Sequence, residues 1–303
     1  MSLIEKLADF IEEHYLFPDI ALKLAEHLQQ TDYSGLGDEA LGEAVTADMI
    51  RISHDQHLFF RYEPQEDNAE PDHEAIMQKH TEEARFRNFG FQKLERLSGN
   101  IAFVKLNELP PVFVAGKLFE AVIALLANMS AIIIDLQDCE GGAPDMVQFI
   151  ASHFLEAEQP LSGIESDGGK KYTESHSLAG LNSPRLLEKP LAILISPKTF
   201  SAAEALAYDL QALKRAVIVG KMSRGGAHLS TFQAFENKFL LRCSIARALN
   251  PITDSNWEGT GVIPDIVSET AQVTAQKYLL EQLIAQEDEL YKEEWQSALE
   301  NLE

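Results

Sequence analysis

Apolar residues recur at helical spacing through the first fifty or so positions of the chain. Leu3, Ile4, Leu7, Phe10 and Ile11 fall on one face and predict a helix from residue 3. Phe17-Pro18-Asp19 breaks the pattern and reopens a helix over 21–28, because proline fits a first helical turn but not an interior one. A second break at 32–37 precedes a third helix over 39–52, with Leu41, Val45, Met49 and Ile52 aligned. Residues 58–62 read as extended. Three short helices are marginal alone and predict a small bundle packed on further structure.

From about residue 90 the pattern changes. Strands are predicted at Ile101–Leu106, 131–136, 191–196 and 216–219, and helices at 111–128, 144–154 and 201–213. Segments 230–235 and 239–245 form a predicted hairpin with Asn237-Lys238 at its turn. The runs AIIID, LAILIS and AVIVG are apolar on both faces, as strands covered by helices on both sides must be. The expected class is therefore α/β. The tail, 271–303, reads as helical, with Val273, Tyr278, Leu279 and Leu283 on a face for its own domain or a second copy; a homo-oligomer stays open.

Between the two patterns, residues 64–83 carry seven acids, one lysine and two prolines, the composition of a linker or a solvated helix. The expected organisation is a helical subdomain over 1–63, an acidic linker over 64–89, and an α/β core with a C-terminal helix over 90–303.

Charge narrows the function. The 303 residues hold 48 acids against 25 bases, a formal net charge of −23. Nucleic acid phosphates and anionic headgroups repel such a chain, so neither nucleic acid nor a membrane is an expected partner. No apolar run approaches the roughly 20 residues of a membrane helix. The start lacks the basic segment and apolar stretch of a secretion signal, which points to the cytoplasm, or to the periplasm or exterior if a leader has been removed. Cys139 and Cys243, the two cysteines, make neither a disulfide framework nor a four-thiolate zinc site.

Four short motifs carry candidate chemistry. Asp135-Leu136-Gln137-Asp138-Cys139-Glu140-Gly141-Gly142 follows a buried strand and precedes a helix. Its two glycines suit either a tight turn or backbone N–H groups aimed at a developing oxyanion. Thr199-Phe200-Ser201-Ala202-Ala203-Glu204 stands at a second such junction. Ser201 there is either a nucleophile with the Ala202 N–H as oxyanion donor, or the N-cap of a capping box closed by Glu204. In Ser53-His54-Asp55-Gln56-His57, the histidines at i and i+3 suit a metal, but no third ligand matches in sequence, and no metal or other cofactor is expected. A surface histidine and a general base are the other readings. Finally, Glu258 in Trp257-Glu258-Gly259 is either a solvated turn acid or the carboxylate that orients a histidine.

Taken in order, these motifs resemble the tail-specific (C-terminal processing) serine protease family, in particular its branch of interphotoreceptor retinoid-binding protein and the tricorn core. The resemblance runs through FPDIALKLAEHL, DQHLFFRY, IIDLQDCEGG, TFSAAEALAYDLQALKRAVIVG and GTGVIPDI. It implies a crotonase/ClpP-like β-α spiral core behind a small N-terminal helical bundle. The PDZ domain that many members insert before the core has no room in the short, charged segment 64–98.

The resemblance implies Ser201 as nucleophile and the backbone of Gly141 or Gly142 and of Ala202 as oxyanion donors. Members with a Ser–Lys dyad carry lysine where Gly226 stands here, whereas tricorn-like members use a histidine from the N-terminal part and a later glutamate. His57 and Glu258 fit those places, as base and orienting acid, in a cleft between the two parts. His228 is the alternative base, with Lys105, Lys198 and Lys221 behind it. The implied activity is serine endopeptidase hydrolysis of a peptide or unfolded protein through an acyl-enzyme. The alternative is a non-catalytic binder of hydrophobic, retinoid- or fatty-acid-type ligands or of peptides in the same cleft. A weaker third reading, from fold analogy alone, is an acyl-CoA hydratase or isomerase.

Overall fold

The computed structural model describes residues 1–64, 73–286 and 290–302. In chain order its elements are α1 (Leu3–His14), α2 (Pro18–Gln30), α3 (Asp38–Ser53), β1 (Phe59–Tyr62), α4 (His73–Phe86), β2 (Phe91–Leu97), β3 (Ile101–Leu106), α5 (Val112–Leu126), β4 (Ala131–Asp135), α6 (Pro144–Ser152), β5 (Pro160–Ser166), β6 (Lys171–His176), β7 (Leu191–Ile195), α7 (Ala202–Ala212), β8 (Val217–Gly220), β9 (His228–Phe235), β10 (Phe239–Leu249), β11 (Ile266–Val267), α8 (Ala271–Ala285) and α9 (Lys292–Glu300).

These elements sort into two compact units. The first comprises 1–72, 163–173 and 228–249; the second comprises 73–162, 174–227 and 250–303. The first unit therefore extends beyond the expected helical subdomain by two later segments. Of the acidic stretch, His73–Phe86 forms α4, while 65–72 lie outside the described residues.

In the first unit, Ser2 and Glu5 start α1 with a reciprocal capping box. Pro18 opens α2 at its first turn. The apolar stripes of α1–α3 then bury Leu7, Ile11, Leu24, Leu28, Val45 and Met49 against Phe60 of β1 and Phe239, Leu241 and Cys243 of β10. β10 runs antiparallel to β1, β5 and β9. Its hairpin with β9 was expected; left-handed φ falls at Glu236 and Asn237, one residue earlier than the anticipated Asn237-Lys238.

The second unit holds a six-stranded sheet in the order β11-β8-β7-β4-β3-β2, parallel throughout except for β2 against β3. Every residue of β4 and β7 is buried, because helices cover both faces. On one face, Ala275, Leu279 and Leu283 of α8 and Trp295 of α9 pack on Ile101, Ile133, Leu194 and Val219. The tail is thus two helices rather than the continuous one expected. β2 escaped the sequence reading because its FQKLERL pattern buries only Phe91, as an edge strand does.

Asp209 on α7 cross-links two pieces of this unit. Its Oδ1 accepts from the Ser162 N–H at 3.0 Å, the Ser162 hydroxyl at 2.5 Å and Asn250 Nδ2 at 2.9 Å. Burial pushes its carboxyl up to about 6 despite these donors. Because the folded value lies above the unfolded one, the native state keeps its proton to higher pH. The stability this group contributes is full below about pH 4 and falls as pH rises through 6, by roughly 3 kcal/mol. Asp209→Asn keeps an acceptor without the charge. Urea unfolding of variant and wild type at pH 5 and 7.5 is expected to show a smaller loss of stability with pH in the variant; parallel losses would refute the assignment.

Candidate active site

The loops after β4 and β7, at the carboxyl ends of two adjacent central strands, carry the expected nucleophile and oxyanion motifs. This edge is where open parallel sheets place their ligands. Side chains of one loop tie the other: Ser196 Oγ donates to the Gln137 carbonyl at 2.5 Å and Thr199 Oγ1 to the Leu136 carbonyl at 2.8 Å. The Phe200 N–H donates to the Cys139 carbonyl at 3.1 Å.

Ser201 sits at φ 54°, ψ −122°, immediately before α7. A capping serine is extended; this conformation is one that a non-glycine residue adopts only under strain, as nucleophiles on tight strand-to-helix turns do. Gly141, at φ 103°, lies against it. A Cβ at Gly141 would stand 2.8 Å from the Phe200 oxygen, 2.9 Å from the Ala202 nitrogen and 3.0 Å from Ser201 Cβ. A Cβ at Gly142 would meet the Leu109 oxygen at 2.0 Å. Both glycines are therefore required by close backbone approach. Among the described residues, none accepts from the N–H of Gly141, Gly142 or Ala202.

Glu204 does far more than cap a helix. It is fully buried, and its two carboxylate oxygens accept four bonds. Oε2 takes the Ser201 N–H at 2.8 Å and the Gly226 N–H at 2.8 Å; Oε1 takes the Ser223 hydroxyl at 2.6 Å and the Gly225 N–H at 2.6 Å. Burial raises its carboxyl against the pull of those donors. One carboxylate thus holds both the nucleophile's backbone and the glycine loop. The Ser-x-x-Glu spacing revealed the contact to Ser201, and nothing in the spacing revealed the other three.

The alternative lysine bases are ion-paired, and the two thiols are buried. Lys105 and Lys198 both pair with Asp138, at 2.6 and 2.9 Å, and Lys221 pairs with Glu269 at 2.6 Å. The Asp138 bond raises the Lys105 pKa further, which keeps that amine charged. Both cysteines are buried, and burial pushes their thiols up to about 12, so neither supplies a thiolate near neutral pH.

In the first unit the two candidate histidines share one carboxylate. α3 ends with exposed His54 in the left-handed conformation, which turns Asp55, Gln56 and His57 into the loop before β1. Asp55 Oδ1 accepts the His57 N–H at 2.8 Å and lies 3.3 Å from His57 Nδ1. Asp55 Oδ2 lies 3.1 Å from Nδ1 of His228, the first residue of β9, and accepts the Tyr15 hydroxyl at 3.2 Å. Burial would raise the Asp55 carboxyl, but hydrogen bonds from His228 and His57 outweigh it and hold the group well below the usual carboxylate range. The motif around His57 was legible; the role of Asp55 within it was not, because its second partner comes 173 residues later.

Glu258, the expected orienting acid, accepts the Ala227 N–H through Oε2 at 2.5 Å. That bond fixes the backbone just before His228. The neighbouring Trp257 is buried and donates Nε1–H to the Gly226 carbonyl at 2.8 Å. Thus the structure brings Gly141 and Ala202 to Ser201 within one unit, and His57 and His228 to Asp55 within the other.

Comparison with known proteins shows the family. A carboxy-terminal-processing protease of Bartonella bacilliformis is 28% identical over 151 residues, half of this chain and 33% of its own. The chloroplastic carboxyl-terminal-processing peptidase 2 of Arabidopsis thaliana is 29% identical over 139 residues, 46% of this chain and 26% of its own. The matched region thus spans a third or less of these curated relatives. The solved photosystem II D1 C-terminal processing protease shares the fold, with a TM-score of 0.60 at 13% identity, over 88% of this chain and 92% of that one. The family model for the N-terminal domain of Peptidase_S41 in eukaryotic IRBP matches residues 1–89. The model of Peptidase family S41 itself matches residues 100–268, more than half of the sequence, and the chain belongs to that family.

Proposed function

We propose that this protein is a serine endopeptidase that hydrolyses peptide bonds through an acyl-enzyme on Ser201. The strained backbone of Ser201, close against Gly141 and followed by the Ala202 N–H, is the observation that carries the reading. In this reading Ser201 Oγ attacks the substrate carbonyl, and the N–H groups of Gly141 or Gly142 and of Ala202 stabilise the oxygen as it becomes negative. His57 takes the proton from Ser201 and returns it to the leaving amine; water then releases the acyl group.

Two carboxylates are suited to fix the imidazole tautomer. Glu258 is the one the family resemblance implies, and Asp55 is the one bonded to the ring. The substrate class is an unstructured peptide or unfolded protein. His228 is the competing base, since it shares Asp55.

The test compares hydrolysis of an unstructured fluorogenic peptide by wild type, His57→Ala, His228→Ala, Asp55→Asn and Glu258→Gln. His57→Ala is expected to lower kcat by about 10³-fold or more, and the orienting carboxylate's variant by up to about 10⁴-fold. A loss confined to His228→Ala would transfer the base to His228. Absence of hydrolysis by the wild type, with no labelling of Ser201 by a fluorophosphonate, would overturn the peptidase reading.

A further inference from the structure

We propose that Asp55, His57 and His228 form a binding site for a divalent transition-metal ion of the zinc class. All three belong to the first unit, and each contributes a donor that a borderline-soft cation prefers: two imidazole nitrogens and a carboxylate oxygen. One ligand atom from each lies within 4.8 Å of the others.

The separation of each imidazole from the carboxylate is close to what a tetrahedral ion demands. Ligands about 2.1 Å from such an ion stand roughly 3.4 Å from one another. Here Asp55 Oδ1 is 3.3 Å from His57 Nδ1, and Asp55 Oδ2 is 3.1 Å from His228 Nδ1. Small movements of the two rings, whose centroids are 5.8 Å apart, would admit an ion where the imidazole nitrogens now meet the carboxylate.

Burial and support complete the case. Asp55 is 2% exposed, His57 1% and His228 8%. The Tyr15 hydroxyl and the His57 backbone N–H hold the carboxylate in place, the kind of outer support that ligating carboxylates receive. These three ligands leave a fourth position for a further oxygen donor, as four-coordinate zinc requires.

An ion here would also occupy the imidazole proposed to deprotonate Ser201, so zinc would inhibit hydrolysis; that consequence, unlike the site itself, rests on the peptidase reading. The experiment titrates the metal-free full chain with Zn²⁺ by calorimetry and with Co²⁺ by visible absorption. One equivalent is expected to bind, with Co²⁺ giving the bands of a four-coordinate ion. Loss of a supporting contact alone weakens metal sites 10–100-fold, so His57→Gln and His228→Gln are each expected to weaken binding by about 100-fold or more. X-ray absorption of the zinc-loaded wild type, which needs no variant, is expected to read two imidazoles and one carboxylate. No binding, undiminished binding in both variants, or fewer than two imidazoles would overturn the site. Peptide hydrolysis with and without Zn²⁺ separates the two readings. Hydrolysis that zinc leaves untouched in a loaded enzyme overturns the inhibition. Absent hydrolysis in the metal-free enzyme counts against the peptidase and leaves the binding result standing.

Discussion

Ser201→Ala is expected to cut hydrolysis of an unstructured peptide by about 10⁴-fold or more while the protein folds as before. The fold survives because the contact that positions residue 201 runs through its backbone N–H to Glu204, not through its hydroxyl. Alanine inherits the cost of φ 54°, whereas glycine adopts it freely. Ser201→Gly is therefore expected to be equally inactive yet to melt above the alanine variant, by the few degrees that about 1 kcal/mol is worth. Initial rates and calorimetric melts check both. Retained activity in either variant would remove Ser201 from the chemistry.

The second large effect is expected at Glu204. Glu204→Ala leaves the N–H groups of Ser201, Gly225 and Gly226 and the Ser223 hydroxyl without their buried acceptor. Each orphaned donor costs about 1–3 kcal/mol, so a total loss of 3–5 kcal/mol or more is expected after relaxation. Glu204→Gln keeps the volume but has one acceptor oxygen, and its amide group turns two hydrogens toward two donors. It should fold less stably than wild type and lose most of its kcat, because the loop of Ser201 is no longer held. Urea unfolding and peptide hydrolysis measure the two losses. A glutamine variant with wild-type stability and kcat would show that the four bonds do not act together.

The parts of the fold that sequence revealed are those where pattern and burial coincide. β4 and β7 are buried along their whole length, so AIIID and LAILI announce central strands. α1–α3 bury single stripes and read as amphipathic helices. Strands such as Lys171–His176 are largely exposed and polar, and β11 is two residues long; neither leaves a hydrophobic period to detect. The same contrast holds at the site. Gly141, Ser201 and Ala202 lie at strand-to-helix junctions that a linear reading can find. The sharing of Asp55 by His57 and His228 depends on β9 returning to the helical unit, and the grasp of Glu204 on Gly225 and Gly226 depends on a loop across the sheet. Tertiary pairing, rather than local propensity, decides both.

The interleaved course of the first unit also sets a schedule for biosynthesis. As the chain leaves the ribosome, α1–α3 and β1 emerge first, but Phe239, Leu241 and Cys243, which close their core, arrive only with β10. Residues 73–162 and 174–227 appear in the meantime, so Leu7, Ile11, Leu24 and Met49 wait for part of their cover until β10 has been made. That exposure is an opportunity for chaperones and for aggregation alike. A polypeptide interrupted before residue 228 lacks one of the two imidazoles that Asp55 binds, so the histidine pair assembles only after β9 has begun to be made.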